Sequence, residues 1–145
     1  MIIPPVVFAD TAFFVARFRP ADQFHAIASA WNKYLSAKRI RIITTEAVLI
    51  EWLNAYSDHR LRGIAYTGYR AIHTSPSAEV LPFEDQSYTQ ALALYAASKD
   101  KNWALTDCLS FVIMRQRKLT AALTSDHHFT QAGFEALMLQ PPTAE

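Results

Sequence analysis

Short apolar runs of strand length recur along this chain, and a helical pattern separates each from the next. Val6-Val7-Phe8-Ala9 is the first, and Asp10-Thr11 behind it is a helix-start signal. Residues Ala21 to Ala37 predict an amphipathic helix with Phe24, Ile27, Ala28, Trp31 and Leu35 on one face. Ile40-Arg41-Ile42-Ile43 is the second run, ending at Thr44-Thr45, and helices follow over about Glu46 to Ser57 and Arg60 to His73. A short strand at Val80-Leu81 precedes a helix from Asp85 to Ser98, and Thr106 is placed as the cap of a helix from Asp107 to Gln116. Ala121 to Thr124 is the next strand, one helical turn covers His127 to Gln131, and a last strand is expected near Leu137 to Leu139. Strands separated by helices require parallel crossovers, which predicts an α/β protein: a three-layer α/β/α sandwich with a short parallel sheet. Ligands of such sheets bind outside the carboxyl ends of the strands, where Asp10 and Asp126 fall.

The 145 residues suit one domain, expected over residues 1 to 140, with 141 to 145 as a loose tail. At 51% hydrophobic and 19% charged residues the chain can build a core, which excludes intrinsic disorder. No apolar run approaches the roughly 18 residues of a membrane span. Three glycines leave no phosphate-cradling loop, which removes P-loop and dinucleotide-binding folds. One cysteine, Cys108, forms no internal disulfide, and the first ten residues carry no basic leader, so a reducing cytoplasm is expected. A net charge of +1 neither announces nor excludes a nucleic-acid partner, because an acidic site can cancel a basic rim in the sum.

Four acids lie among apolar neighbours. Asp10 sits between Val-Val-Phe-Ala and Thr-Ala-Phe-Phe-Val, and Glu51 within Ala47-Val-Leu-Ile-Glu-Trp-Leu53. Asp107 falls in Trp103-Ala-Leu-Thr-Asp-Cys-Leu-Ser-Phe, and Asp126 ends the Ala121 strand before His127-His128-Phe129. None has a Lys or Arg within four residues, yet an ionised carboxylate in apolar surroundings must be paired, hydrogen-bonded or metal-bound. If the fold gathers them at ~6–7 Å, each pair repels by roughly 2–3 kcal/mol at an effective dielectric of ~20. Six pairs then cost on the order of 15 kcal/mol, as much as a whole domain's stability. Oxygen-only ligands of this kind favour Mg²⁺ or Mn²⁺. The alternative for Asp10, Asp107 and Asp126 is a helix-capping role, and for Glu51 an outward position on a narrow polar stripe with Glu46, Asn54 and Ser57.

The segments Val-Val-Phe-Ala-Asp10-Thr, Thr-Thr-Glu-Ala-Val-Leu-Ile-Glu51, Leu-Thr-Asp107-Cys-Leu-Ser-Phe and Leu-Thr-Ser-Asp126-His-His-Phe-Thr-Gln-Ala-Gly-Phe together resemble PIN-domain ribonucleases. More narrowly, they are similar to the toxin members of bacterial VapBC-type toxin–antitoxin pairs. The resemblance implies a parallel sheet between helices, a divalent metal (Mg²⁺, with Mn²⁺ as the other option) held by Asp10, Glu51, Asp107 and Asp126, and endonucleolytic cleavage of RNA. It also implies a cognate antitoxin, and it matches Thr11 and Thr106 to the small hydroxyl residues beside the acids.

Asp10 and Asp107 are expected as direct ligands, Asp126 as a direct or water-bridged one, and Glu51 either as a ligand or as the group that orients the attacking water. Arg17, Arg39, Arg60, Arg115 and Arg117 are among the candidate phosphate contacts. Tyr56, Tyr66 and Tyr69 are possible stacking platforms, with core or interface packing as the alternative. Residues from about Trp52 to Tyr69 are a candidate surface for a homodimer or for the antitoxin. Adjacent histidines are expected to point apart, which sets aside a zinc reading of His127 and His128. Cys108 reads as a small buried hydrophobe. Two readings compete with the toxin: a PIN-fold binding module without hydrolysis, and an RNA-processing nuclease without an antitoxin. A small-molecule phosphohydrolase would carry a second acid two residues after Asp10, and Ala12 stands there.

Overall fold

A computed structural model describes residues 2–143. Five parallel strands, β1 (Val6–Ala9), β2 (Arg41–Thr45), β3 (Ala78–Leu81), β4 (Ala121–Leu123) and β5 (Glu135–Ala136), form one sheet in the order β3-β2-β1-β4-β5. Helices α1 (Thr11–Arg17) and α2 (His25–Lys38) connect β1 to β2, and α3 (Glu46–Ala55) and α4 (Arg62–Thr74) connect β2 to β3. Helices α5 (Asp85–Ala97) and α6 (Leu105–Gln116) carry the chain back over the sheet to β4, and α7 (His127–Gln131) joins β4 to β5. The chain therefore winds away from β1 in one direction and returns past it in the other. With right-handed crossovers this places α1 to α4 on one face and α5 to α7 on the opposite face, the three-layer sandwich expected from the sequence. The direction reverses between β1 and β4, and that gap is the topological switch point.

Phe8 at the sheet centre pairs with Ile43 on one side and Ala122 on the other, and all three are buried. On the α1–α4 side, Trp52 is sandwiched between Phe14 and Phe18 at ring distances of 5.1 and 5.2 Å. A Cβ on Gly68 of α4 would stand 2.7 Å from Trp52 Cη2, so a helix-interior glycine is what lets α4 close over the indole. On the other side Phe111 meets Trp103 and Phe129 edge-on at 5.0 and 4.9 Å.

Several boundaries differ from expectation, by two residues at the end of α3 and at the starts of α4 and β3, and three further differences are informative. Helix α2 begins at His25 instead of Ala21, because the Asp22 carboxylate accepts the Phe24 N–H at 2.8 Å and holds the segment in turns. Helix α6 begins at Leu105, so Thr106 is a residue of its first turn and not its cap; Ala104 holds that position. The last strand is Glu135–Ala136, and Leu137–Leu139 is a 3₁₀ turn whose Met138 N–H donates to the Thr124 carbonyl. Gly133, at φ +94°, makes the turn between α7 and β5, with Phe134 N–H returning to the Phe129 carbonyl as in a Schellman cap. The expected tail is anchored at its root, since Trp31 Nε1 donates to the Gln140 carbonyl at 2.9 Å; its last two residues, 144 and 145, lie outside the described residues.

Candidate metal centre at the strand ends

Asp10 follows β1 directly, and its N–H donates to the Leu123 carbonyl at 3.2 Å, which ties the ends of β1 and β4 together. The residue is 5% exposed, and although it stands at the N-cap position of α1 its side chain makes no capping hydrogen bond there, so the capping alternative fails for this residue. Its Oδ2 instead accepts the Thr124 hydroxyl at 2.8 Å. Burial pushes the Asp10 carboxyl up to about 7, the Thr124 and Thr11 hydrogen bonds oppose that, and the nearby charges of Asp107 and Asp126 add to it.

Asp107 is carried by the third residue of α6, a helix that runs back from the carboxyl end of the sheet. Its Oδ2 accepts the Ala104 N–H at 3.1 Å, so this acid does close the first turn of its helix while remaining at the site. Burial raises its pKa, the Ala104 N–H opposes, and Asp126 raises it further. Asp126 is the N-cap of α7 and accepts the His128 N–H at 2.9 Å. Capping and membership of the acid cluster coexist in both residues.

Thr124, fully buried, donates to Asp10 and accepts the Asp126 N–H at 3.0 Å. One hydroxyl thus fixes two of the acids relative to each other, a role that sequence reasoning missed. The only signal was a threonine at the end of an otherwise apolar strand. His128 was also missed as a neighbour of the acids: its Nδ1 lies 3.2 Å from Asp107 Oδ2 and 3.3 Å from Asp126 Oδ1.

Glu51, in the second turn of α3, accepts the Thr11 hydroxyl at 2.7 Å. Thr11 heads α1 beside Asp10, so Glu51 is joined to the cluster through this hydroxyl. Thr106 and Glu51 share a hollow of about 320 Å³ with Phe83 and Tyr88, both exposed. Of the other tyrosines, Tyr56 is buried and donates to the Val15 carbonyl at 2.6 Å, and Trp52 is buried with it. Neither can serve as a stacking platform or as an exposed interface. Cys108 is buried, as expected.

Among the described residues, none of the four carboxylates is paired with a Lys or Arg. Three helix N-termini, those of α1, α6 and α7, converge here and favour negative charge. They do not neutralise three carboxylates. Asp10, Asp107 and Asp126 offer oxygen donors alone, the donor set of a hard divalent cation, and the raised Asp10 pKa marks a carboxyl whose charge the protein itself leaves uncompensated.

A doubly wound parallel sheet with acids gathered at its switch point defines a class, and the chain belongs to it: the PIN domain family model matches residues 7–135. Within that class its solved neighbours include VapC and VapBC structures. VapC20 of Mycobacterium tuberculosis, described as a Sarcin–Ricin loop cleaving toxin, superposes with a TM-score of 0.76 at 26% identity, over 88% of this chain and 95% of that one. VapBC2 from Rickettsia felis, solved bound to a DNA fragment of its promoter, gives 0.67 at 13% identity over 90% and 96%. FitAcB from Neisseria gonorrhoeae gives 0.61 at 19% over 90% and 94%. These last two likenesses speak to the fold. No curated protein sequence matches the chain. Among the described residues no helix is long and apolar enough to cross a membrane.

Proposed function

We propose that this chain is a divalent-cation-dependent endoribonuclease, the toxin of a toxin–antitoxin pair, acting in the cytoplasm as one nuclease domain over residues 1 to 140. The observation that carries the reading is the gathering of Asp10, Asp107 and Asp126 at the switch point with no Lys or Arg paired to them among the described residues. Mg²⁺, or Mn²⁺ in its place, fits those oxygens. When bound, the cation supplies Lewis acidity toward phosphate oxygens and acidifies a water.

The residues divide the remaining work. Asp10 and Asp107 hold the cation directly, and Asp126 completes the set. Thr124 fixes the angle between Asp10 and Asp126 through its two hydrogen bonds. Glu51, aimed by Thr11, orients the attacking water. Thr106, with Phe83 and Tyr88, lines the hollow beside Glu51, where an unpaired base can stack.

Two surfaces support protein partners. Leu92 and Tyr95 are exposed further along α5, beyond the hollow, and a second copy of the chain suits this end of the helix. A cavity of about 650 Å³ bordered by Phe18, Ile42, Trp52, Ile64, Gly68 and Ile72 lies on the opposite layer and suits an apolar segment of the antitoxin. The stretch expected from sequence, Trp52 to Tyr69, contributes to this cavity and not to the exposed end of α5.

The test is cleavage of a mixed cellular RNA pool with Mg²⁺ or Mn²⁺ against EDTA, by wild type and Asp107→Asn. Cation-dependent cutting that disappears in the variant is expected, and sequencing the new ends then identifies the target. Folded, antitoxin-free, cation-loaded wild type that leaves the pool intact would return the chain to the binding-module reading.

A further inference from the structure

His127 and His128 do not point apart. At the start of α7 their rings lie side by side, with centroids 4.5 Å apart. Both turn the same nitrogen, Nδ1, toward one oxygen, Asp126 Oδ1, at 3.7 and 3.3 Å. The His128 nitrogen is also hydrogen-bonded to Asp107 Oδ2 at 3.2 Å, a proton-mediated contact that a bound ion would replace. A distance of 3.7 Å is too long for a hydrogen bond, and Asp126 Oδ1 already accepts the His128 N–H. These spacings lie within about a tenth of an ångström of those of ligands facing one another across an ion, since bonds of 2.0–2.2 Å in a tetrahedron put neighbouring donors roughly 3.3–3.6 Å apart. The ligand atoms of Asp126, His127 and His128 all fall within 4.8 Å of one another.

The geometry points to a binding site for a zinc-class divalent cation, made by Asp126, His127 and His128 with Asp107 on its inner side. Imidazole selects Zn²⁺ over Mg²⁺, and at a mixed nitrogen and oxygen site Zn²⁺ binds more tightly than Mn²⁺. His127 is largely exposed, which gives the ion an access route from solvent, while His128 is mostly covered and held by Asp107. The α7 dipole opposes a cation, but this helix has only five residues and two carboxylates face the ion. Resting on the hydrolytic reading of Asp107 and Asp126, the consequence is competition: zinc draws both acids away from the hard cation and silences cleavage.

Binding is tested without RNA. Co²⁺ titrated into metal-free protein should give the intense visible bands of tetrahedral nitrogen and oxygen coordination, one ion per chain, displaced by Zn²⁺. His127→Gln and His128→Gln should each weaken zinc binding by at least the ~10–100-fold seen when a mere supporting partner of a ligand is removed. His127→Gln is the decisive variant, because an exposed side chain is dispensable for folding. Weak octahedral cobalt bands, or zinc affinity equal in wild type and His127→Gln, would overturn the site. In the cleavage assay, added Zn²⁺ should inhibit wild type, and His127→Gln should need about tenfold more. If no RNA is cut under any condition, the hydrolytic reading fails while the cobalt spectrum still decides the zinc site.

Discussion

Two neighbouring strands of this sheet end in the same way and meet opposite fates. β1 runs into α1 with Asp10 at the junction, and β2 runs into α3 with Glu46 at the junction. Glu46 accepts the Tyr69 hydroxyl at 2.9 Å and is paired with His73 Nε2, both from α4. Asp10, more deeply buried, receives a single side-chain hydrogen bond, from Thr124. The difference comes from topology. Beyond β2 the chain continues in the same direction, and the β2-to-β3 crossover lays α4 over the junction. Between β1 and β4 the crossovers depart in opposite directions, so no crossover helix is laid across the gap, and the side-chain hydrogen bond that reaches Asp10 comes from the loop residue Thr124. A parallel sheet offers an acid position at each strand end. Whether that acid is answered by the protein or left for an external cation depends on where the winding reverses.

The largest effect expected from this contrast belongs to Asp10→Asn. Removing a charge that acts directly on the bound cation should lower cleavage on the order of 10³-fold or more. Folding should respond in the other direction: in EDTA the variant should melt above wild type, because the amide keeps the Thr124 hydrogen bond and carries no buried charge. Cleavage and thermal unfolding measured on the same preparations check both halves. A variant that melts lower in EDTA would mean that Asp10 is not an uncompensated charge.

The pH dependence of stability follows from the same carboxyl. Its folded pKa of about 7 lies above its ordinary value of 3.8, so between those limits the native state keeps a proton that the unfolded chain has lost. Stability of the metal-free protein should therefore fall as pH rises from about 4 to 7, by up to about 4 kcal/mol from Asp10. The raised pKa of Asp107 pulls in the same direction. Urea unfolding in EDTA across this range should show the decline, Asp10→Asn should flatten it, and saturating Mg²⁺ should reverse it. A flat wild-type profile would remove the buried charge from the comparison.

Much of this contrast was legible in the sequence, for a reason that also limits it. Asp10, Glu51, Asp107 and Asp126 stood out because each interrupts an apolar segment, and a carboxylate there needs a reason to exist. Strand β1, the start of α3 and the turn at α7 matched their patterns to the residue, since apolar periodicity and Thr45 or Asp126 capping act locally. What failed was non-local or hidden in turn chemistry. Thr106 looked like a cap because threonine caps well, yet Asp107 reaching back to Ala104 N–H starts α6 earlier. Thr124 donates to an acid 114 positions away, Asp10, and His128 meets one 21 positions away, Asp107. The side-by-side histidines escaped because the dihedrals of one helical turn, and not its period, decide where their rings go.

Thr124→Val is the next sharpening step. The substitution keeps volume and leaves Asp10 Oδ2 and the Asp126 N–H without their partner, which should cost about 1–3 kcal/mol. Its larger signature should be on cleavage at subsaturating Mg²⁺, because Asp10 and Asp126 lose their common reference while both charges remain. Activity restored by excess cation supports a positioning role; a loss that excess cation leaves untouched would instead mean that Thr124 matters to the chemical step itself.

The smallest effect is the reciprocal one, at the answered corner. Tyr69→Phe removes the hydroxyl from Glu46 and leaves the ring against His73, at a centroid distance of 4.3 Å. A partly buried hydrogen bond to a carboxylate that keeps its second partner should cost only about 0.5–1.5 kcal/mol. Cleavage should be unchanged, because nothing at this junction faces the gap between β1 and β4. The measurement is a pair of numbers, a shift in the urea midpoint and a cleavage rate at saturating Mg²⁺. A rate that falls with the midpoint unmoved would place the β2 corner inside the working site, and the division drawn here between an acid satisfied by its own chain and one left for a cation would be redrawn one strand further along the sheet.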